Sequence, residues 1–142
     1  KFWDEMPPTN GFSIIKNTAE SYQKAGKLQI QILTSISAAQ IKQNFPNDYQ
    51  KRIGSVEVGK KNWFKRHSLD FKKINFSSSG TDKANWAEKN TILIDDLQRN
   101  VDAFISKGGE GITYKNANQS MRELATAVDI MKETYGYSWS NI

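Results

Sequence analysis

The stretch Thr91–Asp96, T-I-L-I-D-D, constrains the fold of this chain more than any other. Ile92, Leu93 and Ile94 run without polar interruption, as in a short strand of a parallel sheet buried on both faces. The strand ends in two adjacent carboxylates, Asp95 and Asp96. Adjacent acids repel each other at neutral pH, and the repulsion is costly where a buried strand ends. A hard cation with oxygen ligands, such as Mg²⁺, offsets that cost. The stretch therefore predicts an α/β domain with a carboxylate site at the C-terminal end of a strand. Open α/β sheets bind ligands at that edge.

The rest of the chain alternates helical and strand patterns, the grammar of a parallel sheet. Ser13–Lys24 reads as a helix with Ile14, Ile15, Ala19 and Tyr22 on one face. Leu28–Thr34 reads as a strand whose end carries two hydroxyls, Thr34 and Ser35. Ser37–Asn44 is a short helix capped by Ser37, broken at Pro46. Val56–His67 is a basic helix carrying Lys60, Lys61, Lys65 and Arg66, with Val58, Trp63 and Phe64 as its apolar contacts. Phe71–Phe76 alternates as a strand, and Thr81–Ala87 is a short helix bearing Lys83. After the opening strand comes Gln98–Lys107, with Val101, Phe104 and Ile105 inward and Gly108-Gly109 at its end. Gly111–Tyr114 is a last short strand. Ser120–Tyr135 is a helix with Met121, Leu124, Ala125, Val128 and Met131 at helical spacing. Residues 1–12, with Pro7, Pro8 and Gly11, form an irregular lead-in, and 142 residues suit one domain spanning 1–142.

Composition excludes some chemistries. The chain has no Cys, so there is no thiolate nucleophile, thiolate metal site or disulfide framework, which fits a reducing cytoplasm. The single His, His67, lacks a second His for a metal cluster and is a weak candidate for catalysis. No run of 18 apolar residues exists, so no membrane-spanning helix is expected. The net charge of +5 is that of a solvated basic surface, or of one that attracts phosphorylated partners, from nucleotides to nucleic acid.

Three polar features fall at the predicted ligand edge: Thr34 with Ser35 after one strand, Lys83 before another, and Asp95 with Asp96 at the end of that other strand. Hydroxyl donors, an ammonium and a metal-binding carboxylate pair make up a kit for gripping a phosphoryl group.

In this order the chain resembles the haloacid dehalogenase superfamily of phosphohydrolases, and more narrowly its 5′-nucleotidase or deoxyribonucleotidase-like members, several of which occur in phages and bacteria. The match is best over residues 90–114, N-T-I-L-I-D-D-L-Q-R-N-V-D-A-F-I-S-K-G-G-E-G-I-T-Y. I-L-T-S at 32–35, D-K-A-N-W-A at 82–87 and F-W-D-E-M-P-P at the start support it, so the resemblance covers most of residues 2–116. It implies a Rossmann-like three-layer α/β/α core with a mainly parallel sheet. It implies Mg²⁺-dependent phosphomonoester hydrolysis of a nucleotide or other small phosphorylated metabolite. Thr34 would bind the phosphoryl oxygen, with Ser35 assisting through its backbone N–H. Lys83 would stabilise the nucleophile and the phosphoryl charge, with Lys60 a weaker candidate for that role. Asp95 and Asp96 would hold Mg²⁺ directly or through water, and Asn100 would support the loop.

One family motif has no match. Members begin with D-x-D after a hydrophobic strand, which supplies the aspartate nucleophile and the general acid–base. No such motif precedes Leu28, and Asp4, followed by Glu5 and Met6, does not fit it. The resemblance places the missing strand at the sheet centre, where its removal leaves backbone donors and acceptors exposed. An upstream segment ahead of Lys1, a partner chain completing the sheet, or a degenerate non-catalytic sheet would each account for this. Two further functions follow: an inactive binding module for a nucleotide, nucleic acid or protein, and a generic α/β domain in which the acid pair only caps the helix that follows.

Overall fold

The computed structural model describes residues 12–25, 29–67 and 73–135. Among them, four short strands form two separate parallel pairs, surrounded by five α-helices and one 3₁₀ helix. The chain is mixed α/β, as its alternating pattern predicts. It divides into two compact units, one built on residues 31–83, the other on residues 12–30 together with residues from 84 onward. The predicted lead-in falls almost wholly on residues outside those described.

In the first unit, β1 (Ile32–Ser35) pairs with β2 (Ile74–Ser77), Thr34 lying beside Phe76 and Ser35 beside Ser77. The register continues past the strands, where the Ile36 N–H donates to the Ser77 carbonyl at 2.8 Å. Asn75 is buried within this pair and donates to the Gln31 side chain at 3.1 Å and to the Ile32 carbonyl at 3.3 Å. Between the strands run α2 (Ala38–Asn44) and α3 (Tyr49–Arg66). Ser37 occupies the N-cap position of α2, but its side chain makes no capping bond.

Helix α3 begins seven residues before the predicted start at Val56. Gly54 and Ser55, just ahead of Val56, are weak helix formers. Partial burial of Ile53 and Val56 in tertiary packing overrides that local preference. The earlier start rotates the assignment of faces. Val58, predicted to be an apolar contact, is 57% exposed, while Tyr49, Ile53, Val56 and Trp63 turn inward.

In the second unit, β3 (Ile92–Asp95) pairs with β4 (Glu110–Thr113), with helices on both faces. Strand alternation divides the side chains. Ile92 and Ile94 pack with Ile112 against Leu124 and Val128 of α5 (Ala117–Tyr135). Tyr22 of α1 (Phe12–Lys24) and Met121 join the same cluster. Leu93 and Asp95 face the other way and are buried at 7% and 6% exposure. That side belongs to α4 (Gln98–Ser106), whose Val101 and Phe104 are each 2% exposed.

Two predicted inward residues in this unit point to solvent: Ile14 is 41% and Ile105 47% exposed. Each lies at the margin of its helix's apolar stripe, and the stripe is narrower than the sequence pattern allows. Gly108 ends α4 with φ +98°, a left-handed conformation that favours glycine. Gly111 is required for space: a Cβ there would lie 2.5 Å from Val101 Cγ1.

Candidate functional site

In the first unit the site forms where β1 ends. Thr34 and Ser35 are the last two residues of the strand, both half-buried. On α3 the inward stripe Tyr49, Ile53, Val56, Lys60, Trp63 alternates steps of four and three residues. Lys60 therefore enters the unit among apolar neighbours. Its Nζ donates to Thr34 Oγ1 at 2.8 Å and to the Ser35 carbonyl at 2.7 Å. Accepting from Lys60 leaves the Thr34 hydroxyl proton able to donate elsewhere.

Lys83, on the 3₁₀ helix Thr81–Trp86, is near enough to act on Lys60 electrostatically. Burial first, and the positive charge of Lys83 second, push the Lys60 ammonium below its ordinary value of 10.5. The Lys60 ammonium and the Thr34 hydroxyl thus meet at one strand end, where the charge of Lys83 is also felt. An oxyanion there would offset the repulsion between the lysines and accept hydrogen bonds from Lys60 and from the Thr34 hydroxyl.

The strand end of the second unit carries the acids, and they part company. Asp95, the last residue of β3, is buried, while Asp96, just beyond the strand, is exposed. Asp95 Oδ1 accepts from the Leu97 N–H at 2.9 Å and from Asn100 Nδ2 at 3.3 Å. It thereby ties the end of β3 to the first turn of α4. Asn100 is 2% exposed, and its Oδ1 is buried with no hydrogen-bond partner.

The oxygens fit a hard cation in kind: a buried carboxylate, an exposed one, and an orphaned amide oxygen beside the first. No group of three or more His, Cys, Asp or Glu side chains is placed to hold a metal among the described residues. Mg²⁺ is ordinarily held by one or two carboxylates with waters, so this donor set suits it better than it suits Zn²⁺.

Of the residues singled out in the sequence, Thr34, Ser35 and Lys83 fall in the first unit with Lys60, and Asp95 and Asp96 in the second. Lys60, ranked behind Lys83 by sequence, is the lysine hydrogen-bonded to Thr34. The sequence did hold the signal, a lone cation inside an apolar helical stripe, but a helix started at Val56 omits Tyr49 and Ile53 and hides it. Ser35 accepts from Lys60 through its carbonyl. His67 packs on Trp63, with ring centroids 4.2 Å apart.

Comparisons with protein-family models, with curated proteins and with solved structures find no match for this chain.

Proposed function

We propose that the chain forms most of a Mg²⁺-dependent phosphomonoester hydrolase of haloacid dehalogenase type, acting in the cytoplasm on a nucleotide or another small phosphorylated metabolite. In this reading the parallel strand pairs belong to a Rossmann-like α/β fold with helical layers. The strand bearing the attacking aspartate lies outside these 142 residues. The observation that carries the reading is the Lys60–Thr34 contact at the end of β1, with Lys83 close enough to lower the Lys60 pKa. Such a cluster favours an anion over an empty state.

The chain's own residues then divide the work. The Thr34 hydroxyl donates to a phosphoryl oxygen. Lys60 and Lys83 offset the charge that builds as the ester oxygen leaves. The aspartate attacks phosphorus, the alcohol departs, and water cleaves the acyl phosphate to release inorganic phosphate. Asp95 and Asp96 would hold Mg²⁺, which neutralises phosphoryl charge when bound. Asn100 positions Asp95 through its amide nitrogen.

A second reading has its own observation. Asp95 Oδ1 already accepts two hydrogen bonds at the start of α4, so the acid serves the fold without a metal. The chain would then be a generic α/β domain in which the acid only ties β3 to the helix that follows. Thermal melts separate the two. Mg²⁺ at 100 times its dissociation constant stabilises a binding protein by about 2.7 kcal/mol. The hydrolase reading expects a Mg²⁺-dependent rise in Tm that Asp95→Asn abolishes. In the protein that includes the attacking strand, full Mg²⁺-dependent turnover by Asp95→Asn would end the assignment.

A further inference from the structure

The helical hairpin of α2 and α3 holds the charge of the whole chain. Residues 38–67 carry seven Lys or Arg against two acids, Asp48 and Glu57, a net of +5 that equals the net charge of the full sequence. The rest of the chain is balanced. Within the hairpin the cations are not spread evenly around α3. Opposite the inward stripe that carries Lys60 runs a second stripe, Lys51, Ser55, Val58, Asn62, Lys65, and all five residues are exposed. Lys61 and Arg66, also exposed, flank it.

We propose that this outer face of α3 docks on the sugar–phosphate backbone of nucleic acid, without reading sequence. At 1.5 Å rise per residue, Lys51 to Lys65 covers about 21 Å, roughly six base pairs at 3.4 Å each. Lys and Arg with Ser and Asn between them are the side chains that contact phosphate oxygens. Val58 is the one apolar residue of the stripe, so the face lacks the apolar half that an amphipathic helix sinks into a membrane. Protein interfaces are depleted in lysine and enriched in aromatics, and this stripe has the opposite composition. The proposal uses no residue of the Thr34–Lys60 site, so it stands or falls apart from the hydrolase reading.

Fluorescence anisotropy of a labelled DNA duplex of about 20 base pairs, titrated with the full chain, tests it. Four phosphate contacts predict a slope near −3.6 in log affinity against log salt, about a 150-fold loss between 50 and 200 mM KCl. Lys51→Glu/Lys65→Glu should weaken binding and flatten the slope by about 2. Lys107→Glu/Lys115→Glu, the same charge change on exposed residues of the second unit, should leave the slope as it was. If circular dichroism shows the first pair to be misfolded, Lys51→Gln/Lys65→Gln takes its place. Three results would overturn the proposal: no binding at 50 mM salt, equal slopes for the two double variants, or tighter binding to phosphatidylserine vesicles or polyglutamate than to DNA.

Discussion

A lysine half withdrawn from water beside a second lysine holds its proton less firmly, and Lys60 is so placed. A base whose pKa falls on folding weakens the folded state while it is charged. The penalty is fully present below the folded-state pKa and fades as pH rises from there to the ordinary 10.5. An oxyanion at Thr34 has the opposite effect, because it favours the charged lysine. Sulfate, whose charge is constant across this range, should therefore raise Tm at pH 7. That increment should shrink as pH climbs toward 10.5, with the decline beginning below it. Lys60→Met should show no sulfate increment at any pH. A wild-type increment that stays flat up to 10.5 would mean that Lys60 does not bind the anion. Thr34 and Asp95 were legible in the sequence because both end apolar strands. Lys60 is a lone cation in an apolar helical stripe, but a helix started at Val56 omits Tyr49 and Ile53 and hides that stripe, and its bond to Thr34 spans 26 residues. The acid pair divides at the end of β3: Asp95, its last residue, is buried, and Asp96, just beyond it, is exposed.

The elements follow from pattern more reliably than the contacts between them. Where hydrophobic period and punctuation agree, as in β3, α4 and the Gly108-Gly109 stop, the predicted bounds lie within a residue or so of the observed ones. The α3 start shifted because Gly54 and Ser55 argued against helix locally while the inward stripe argued for it. Close approach is a further thing that pattern cannot supply, and Gly111 is one instance. It sits in β4 directly against α4, where an added Cβ would be 2.5 Å from Val101 Cγ1 and 3.3 Å from Ile105 Cδ1. Ile105 is at the surface and can move, whereas Val101 is 2% exposed and its branched side chain has little rotamer freedom. Gly111→Ala should therefore cost about 1–3 kcal/mol by overpacking, read as a lower urea midpoint. Adding Val101→Ala should recover part of that loss although it removes buried carbon. A strictly additive double variant would show that the two residues do not collide.

Across the whole molecule, buried apolar mass and charge are unequally shared. Of the buried hydrophobic residues described, Ile36 alone belongs to the first unit; Leu93, Val101, Phe104, Ile112, Leu124 and Val128 are all in the second. Helix α2 buries nothing, and α3 buries only Gly59. Burying a Leu, Val or Phe side chain is worth about 1.5–3 kcal/mol, so the second unit holds most of the hydrophobic stabilisation. Self-repulsion among the cations of residues 38–67 subtracts further from the first. Local opening energies should differ accordingly. Amide hydrogen exchange at Leu93, Val101, Ile112 and Leu124 should approach the rate set by global unfolding, while amides of α2 and the first turns of α3 exchange through cheaper local opening. Trypsin should cut first at Lys42, Lys51 or Arg52, all exposed and flanking the α2–α3 connection. Sulfate should slow both processes in the first unit, since Lys60 joins α3 to the end of β1 and an anion there strengthens the joint. Equal protection across the two units, or sulfate protection confined to the second, would show that cohesion does not follow the buried apolar residues.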